Sequence, residues 1–264
     1  MTEDEYITWT SEMGWDWGQK TQTLFGLNSR SAQLAAQEHP FFSGLASDLK
    51  LWEDQELKRT GASLLMNLDP PKLESKPYGS VRNKSYRKNH LLNTKFPNEP
   101  DSGWITPENV FEKINDLVRG TLVCKYVDGP QRLAQLLTDR AQALDLRSKF
   151  DAEGREQGYY AYHFYVYIPV DVANDQMETA TKELSVEVQL STQLQEVLRK
   201  VTHDFYEEVR DQIEEDAGRW KWEIETNRFR AGYVSHTLHL LEAIIVQLRN
   251  DAHANRMDRQ DANN

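Results

Sequence analysis

Nine residues, Leu184 to Thr192, read Leu-Ser-Val-Glu-Val-Gln-Leu-Ser-Thr and alternate strictly. Val186, Val188 and Leu190 fall on one side; Ser185, Glu187, Gln189 and Ser191 fall on the other. A period of two marks a β-strand with one buried face, so the chain must supply a sheet and an apolar layer to cover it. The polar side sets one carboxylate beside one amide, and a helical pattern starts directly after Thr192. Alternation alone leaves two readings of that side: the solvated face of an edge strand, or a strand that presents Glu187 into a cleft.

A chain of 264 residues, 39% of them hydrophobic, can build one substantial α/β core with helical additions. Its net charge of −11 argues against bulk attraction to nucleic acid or anionic membrane but allows a local phosphate-binding patch. Cys124 stands alone and cannot form an internal disulfide, which fits a reducing cytoplasm. The start is acidic and aromatic (Glu3, Asp4, Glu5, Trp9, Trp15), unlike a signal peptide. The longest apolar stretch, Leu238 to Leu248, is interrupted by Glu242 and Gln247 and falls short of the ~18 residues a membrane span needs. A cytoplasmic protein with no membrane partner is expected.

Residues 1–28 show no clear period and predict an irregular lead. Leu34, Phe41, Phe42, Leu45, Leu49, Leu51 and Trp52 recur at helical spacing around a break at Pro40, and Leu57 to Leu68 continues a helix up to Asp69-Pro70-Pro71. From Lys72 to Lys95 the chain turns basic, with Glu74 the sole acid. Ser80 as the cap of a helix through Val81 places Ser80, Lys84, Arg87 and Lys88 along one side. That side is either a solvated basic face or a polyphosphate clamp. A loop follows over residues 93–107.

Thr106-Pro107-Glu108 predicts a helix start, with Val110, Phe111, Ile114, Leu117 and Val118 as its stripe and Gly120 as its end. Asp116 would then occupy the last helical turn, where an acid opposes the helix dipole. Such a local conflict marks a candidate functional residue. A short strand, Thr121 to Tyr126, a turn at Asp128-Gly129-Pro130, a helix from Gln131 to Leu146 and a polar loop from Asp151 to Gly158 come next. Gly158 to Ile168 is an aromatic strand ended by Pro169, with Tyr159 either a rim tyrosine or a stacking platform for a base. A long helix from Gln193 to Glu215, an extended piece holding Trp220 and Trp222, an amphipathic helix from Phe229 to Arg249 and a frayed tail from Asp251 complete the reading. We expect boundaries at 1–71, 72–217 and 218–264.

Two acids near adjacent strands, a basic helix and an aromatic strand edge suggest metal-dependent phosphoryl-type transfer, because two carboxylates can hold a Mg²⁺ that bridges substrate phosphates. There is no Gly-x-x-x-x-Gly-Lys-Ser/Thr loop and no Cys/His zinc spacing.

Four blocks in order resemble the synthetase domain of the RelA/SpoT nucleotide pyrophosphokinases. They are Lys76-x-x-x-Ser80-Val81-x-x-Lys84; Asp116 before a strand; Gly158-Tyr159-Tyr160-Ala161-Tyr162-His163; and Glu187-Val188-Gln189-Leu190-Ser191-Thr192 followed by His203. The resemblance implies an α/β (α+β) nucleotidyltransferase-like fold: a mixed, mainly antiparallel sheet flanked by helices, with helical additions at both ends. It implies transfer of the β,γ-pyrophosphate of ATP to a nucleotide 3′-hydroxyl, giving (p)ppGpp or ppApp. Lys76, Ser80, Lys84, Arg87 and Lys88 would then hold ATP phosphates, and Asp116 and Glu187 would hold Mg²⁺. Glu187 would also take the acceptor's proton, while Tyr159, His163, Gln189 and His203 would serve the acceptor.

The chain departs from the family pattern in its arginines. Glu74, Tyr160 and Ser191 stand where arginines are usual, and the arginine after Asp116 is displaced to Arg119. Lysine does not reproduce a bidentate fork, so the acceptor is left open. These losses, with the Ser85-Tyr86-Arg87-Lys88-Asn89 run, are most similar to the toxic small alarmone synthetases of toxin–antitoxin and phage-defence systems. That subgroup implies a guanosine or adenosine nucleotide acceptor or, alternatively, the tRNA 3′-CCA end, for which Lys72 to Lys95 would be the basic path. A degenerate nucleotide-binding module is the non-enzymatic alternative. No paired His/Asp motif of a hydrolase precedes Lys72. Synthesis without self-reversal, and a neutralising antitoxin protein docking on residues 1–28 or 229–250, are therefore expected.

Overall fold

The structure is a computed structural model and describes residues 1–154, 158–210 and 219–261, with side chains at 1–154, 158–202 and 219–256. The helices are α1 (Glu3–Glu12), α2 (Gln19–Glu38), α3 (Pro40–Ser43), α4 (Leu45–Thr60), α5 (Tyr78–Tyr86), α6 (Val110–Lys113), α7 (Gly129–Ala143), α8 (Gln193–Arg210) and α9 (Asn227–Asp261). The strands are β1 (Glu74–Ser75), β2 (Val118–Cys124), β3 (Ser148–Gly154), β4 (Tyr160–Ala173) and β5 (Thr179–Thr192). They form one sheet in the order β1-β2-β5-β4-β3, in which only β2 and β5 run parallel. This is the mixed, mainly antiparallel sheet flanked by helices that the resemblance implied.

The alternating strand, β5, lies at the sheet's centre, which overturns the edge-strand reading. Its apolar side, Val186, Val188 and Leu190, is fully buried and continues across Leu122 of β2 and Phe164 and Val166 of β4. Leu133 and Leu137 of α7, Ala32 and Ala36 of α2, Phe41 of α3 and Leu45 and Leu49 of α4 complete this core. Phe41 stacks on Phe164 with ring centroids 5.9 Å apart.

Several sequence expectations need correction. Residues 1–28 are largely helical: Thr2 and Glu5 close a capping box, and Tyr6 buries its ring while its hydroxyl lies 2.8 Å from Ser85 Oγ. The helix expected over Leu57–Leu68 stops at Thr60, because Gly61 adopts φ +68° as a left-handed cap. Leu34, Leu51 and Leu57 face outward. Ser80 does not cap α5; Pro77 precedes that helix and Ser80 sits exposed in its first turn.

The helix from Thr106 shrinks to the single turn of α6. Ile114, Leu117 and Val118 fit helical spacing, yet they are buried as the chain enters a central strand. Gly120 is in mid-strand, where a Cβ would meet Pro71 Cβ at 2.8 Å. Residues 148–154 form β3 rather than a loop. β4 passes through Pro169, which lies beyond the last β3 pair, Ser148 with Val166, so the missing N–H breaks no ladder on that side. Trp220 and Trp222 belong to a 3₁₀ turn, and α9 continues past Asp251.

Candidate active site

The polar face of the sheet carries the site. Asp116 lies in the turn between α6 and β2, not on a helix, so the dipole argument for it falls away. It is buried, and both carboxylate oxygens are engaged: Lys76 Nζ donates to Oδ2 (2.8 Å) and Lys84 Nζ to Oδ1 (2.7 Å). β1 and the first turns of α5 bring these lysines in, with Lys76 N bonded to Leu117 O (2.8 Å). Burial alone would raise the Asp116 carboxyl, but Lys84 and Lys76 hold it well below the usual carboxylate range. Burial pulls the Lys76 ammonium below its ordinary value against the attraction of Asp116.

Glu187 is anchored differently. Pairing sets it beside Arg119 of β2 and Tyr165 of β4. Its Oε1 accepts from His163 Nδ1 (2.7 Å), and His163 Nε2 lies 3.0 Å from Glu153 Oε2 and 3.2 Å from Tyr159 Oη. Burial would lower the His163 pKa, yet the bonds to Glu153 and Glu187 push it up to about 9, so it is an imidazolium at neutral pH. Gln189 Nε2 donates to Tyr159 Oη (2.6 Å). Burial first, then the charges of Glu187 and Asp116, raise the Tyr165 phenol well above its ordinary value. Glu187 is also the direct pairing neighbour of Tyr165.

The structure thus gathers Lys76, Lys84 and Asp116 in one group, and Glu187, His163, Tyr159 and Gln189 in a second. Ser80 is exposed, and Arg87 and Lys88 lie in a π turn, Arg87–Leu91, where Lys88 is exposed. The side chain of His203 lies outside the described residues. The basic run is largely neutralised by local acids: besides the two lysines on Asp116, Lys72 pairs with Glu74 (3.2 Å), Arg82 with Glu3 (3.0 Å) and Lys95 with Asp101.

Sequence reasoning missed Glu153, Tyr165 and Arg199. Glu153 sits in a segment read as loop, although Lys149, Asp151 and Glu153 alternate with Phe150 and Ala152. Arg199 of α8 lines a cleft of about 20 Å³ with Tyr159, Gln189 and Ser191, and its guanidinium chelates Glu196 at 2.8 and 3.0 Å. A larger cavity of about 370 Å³, lined by Arg59, Arg132 and Arg249, lies past the other end of β2 and touches neither carboxylate.

Among the described residues no three His, Cys, Asp or Glu side chains form a metal-binding group, and no helix is long and apolar enough to cross a membrane. A Mg²⁺ site needs less than three, since the ion is usually held by one or two carboxylates plus substrate phosphates. Asp116 and Glu187 are the carboxylates expected to fill that role.

No protein-family model and no curated protein sequence matches the chain. Solved structures do. Small alarmone synthetase 1 from Bacillus subtilis superposes with a TM-score of 0.53 at 18% identity, over 86% of this chain and 95% of that one. The same enzyme bound to its product pppGpp gives 0.51 at 18%, over 83% and 98%. A GTP pyrophosphokinase family protein from Streptococcus pneumoniae gives 0.50 at 15%, over 81% and 93%. With its sheet order, its central polar face and this match along most of its length, the chain has the fold of the small alarmone synthetases.

Proposed function

We propose that this chain is a Mg²⁺-dependent pyrophosphokinase that moves the β,γ-pyrophosphate of ATP to the 3′-hydroxyl of a guanosine or adenosine nucleotide. The observation that supports this most is the pair of lysine ammoniums on buried Asp116. Ammonium groups on flexible stems are point charges that can change partner. An entering triphosphate draws Lys76 and Lys84 onto its oxygens and frees those of Asp116. Ser80, Arg87 and Lys88 extend the phosphate path along α5 and the π turn. Mg²⁺ held by Asp116 and Glu187 would neutralise phosphate charge.

Glu187, oriented by His163, accepts the proton of the acceptor hydroxyl. The acceptor oxygen attacks the β-phosphorus, the bond from that phosphorus to the α,β-bridging oxygen breaks, and AMP leaves. Tyr159, steadied through its hydroxyl by Gln189, stacks on the acceptor base, and Arg199 supplies the cation that Ser191 does not provide.

A nucleotide acceptor is favoured over tRNA because so much of the basic run is already paired with acids. Incubation with Mg²⁺, γ-labelled ATP and, separately, GDP, GTP, AMP, ATP or tRNA tests the reading. Label on a nucleotide is expected. Label on tRNA alone would select the translation-blocking reaction, and label on none would leave a nucleotide-binding module. Within this reading the unchecked activity is toxic and calls for a neutralising protein, so expressing the wild-type chain alone should arrest growth while Asp116→Asn should not.

A further inference from the structure

Tyr159 is tethered at its hydroxyl by His163 and Gln189, but the strands do not hold its backbone. β4 pairs with β3 only from Tyr160 onward and with β5 only from Tyr162 onward. A ring fixed at its tip alone can swing, whereas a stacking platform needs a defined plane. The backbone end is held by α9 instead.

α9 turns polar and ring side chains toward the body and leaves Leu240, Leu241 and Leu248 exposed, the inverse of an ordinary surface helix. Its inward side grips the residue on each side of Tyr159. Before it, Ser235 Oγ donates to Gly158 O. Gly158 has φ +91°, and a Cβ there would stand 2.7 Å from Gly232 O and 2.7 Å from Ser235 Cβ, so α9 comes as near to this backbone as a glycine permits. After it, the Tyr160 ring stacks on His239, with centroids 3.9 Å apart and planes 4° from parallel, and its Oη lies 2.6 Å from His236 Nδ1. Neighbouring residues of an extended chain point to opposite sides. Tyr160 accordingly meets α9 while Tyr159 meets His163. The cleft left behind Tyr159 measures about 20 Å³, room for about one water, so the ring is closely backed.

We infer that Tyr160 is a positioning residue of the acceptor site, and that α9 acts through it and Gly158 to set the plane in which Tyr159 meets the acceptor base. The tyrosine at a position where an arginine is usual is thereby a link to the last helix rather than a phosphate contact. The inference rests on the reading of Tyr159 as the acceptor platform and extends it by making α9 part of the site.

Hydrogen exchange on the full chain, followed at peptides over residues 158–163, reads the grip without turnover, and the transfer assay reads its consequence. Tyr160→Ala and His239→Ala should each speed exchange there about fivefold, the loss of one ring pair. Each should raise the acceptor KM about fivefold, with kcat and the ATP KM close to wild type. His239→Phe, which keeps the stack, should restore both. Tyr160→Arg should bring no gain in acceptor affinity, because the side chain points to α9. His239 lies on the helix, so its variants carry the test if Tyr160→Ala does not fold. Unchanged exchange in His239→Ala would overturn the grip. Faster exchange with an unchanged acceptor KM would overturn the positioning role, and a lower acceptor KM in Tyr160→Arg would set position 160 against the acceptor and overturn it too. A wild type that labels no nucleotide would remove the proposed function and the acceptor role together, while exchange still decides whether α9 holds Tyr159 in place.

Discussion

Two buried carboxylates, one in the turn before β2 and one in β5, are held in opposite ways. Asp116 is gripped by two lysines whose stems enter from β1 and α5. Glu187 is gripped by one histidine that is itself pinned by Glu153. The first arrangement can be handed over, because an ammonium released from a carboxylate meets a phosphate equally well. The second is braced, since moving His163 off Glu187 breaks bonds on both ring nitrogens. Under the proposed function the same chemical group would serve as a gate for a charged substrate in one place and as an oriented base in the other.

The largest effect that would break this contrast comes from Asp116→Asn. Turnover is expected to fall by at least ~10³-fold, and Lys76, left buried without a counter-charge, should cost about 3 kcal/mol of stability in denaturant titrations. Because the Asp116 pKa is depressed, the wild-type contribution is present above the ordinary carboxylate range and is lost only as pH falls well below it. The variant should lack that acid-side loss. Near-normal turnover would remove Asp116 from the machinery.

Glu187→Gln should lower kcat by ~10² to 10³-fold while the fold and the ATP KM stay close to wild type. Equal losses in kcat and nucleotide binding would erase the distinction between gate and base. Lys84→Gln sharpens it from the other side: the ATP KM should rise about 30-fold, the acceptor KM should hold, and kcat should change least.

The smallest expected effect belongs to His163→Gln, about tenfold in kcat, but its pH signature is distinctive. The His163 pKa is raised to about 9. Its stabilisation is therefore complete below the unfolded value near ~6.5 and is lost as pH rises through 9, an effect of about 2–3 kcal/mol. Chemical denaturation between pH 6 and 10 should show the fall in the wild type and a flatter profile in the variant.

The braced half of the site was more legible in the sequence than the gated half. β5 announced itself because one side of the strand is uniformly apolar and the other uniformly polar, which put Glu187 and Gln189 on a shared polar side but left open whether that side faced solvent or a cleft. The aromatic alternation left Tyr159 as a rim tyrosine or a stacking platform, and His163 was assigned only through the family resemblance. Asp116 was found for a mistaken reason. Ile114, Leu117 and Val118 satisfy a helical period, yet they are buried as a turn feeding a strand, and local periodicity does not separate those cases. Glu153 escaped because polar residues on a strand that faces a site read like a loop.

The residues expected at the phosphates do not all meet. Lys76 and Lys84 converge on Asp116, whereas Arg87 and Lys88 lie in the π turn that follows α5. Nor did the alternation of α9 reveal which of its sides faces the body, since an inverted helix has the same period as an ordinary one.

In the proposed mechanism the clamp passes its lysines to a triphosphate while both carboxylates take the metal. Calorimetric titration of a non-hydrolysable ATP analogue, with and without Mg²⁺, measures this without turnover. The expected result is tight binding by the wild type that depends on Mg²⁺. Asp116→Asn and Glu187→Gln should lose that dependence, and Lys84→Gln should lose affinity with or without the metal. Mg²⁺-dependent binding of wild-type strength in both carboxylate variants would contradict it.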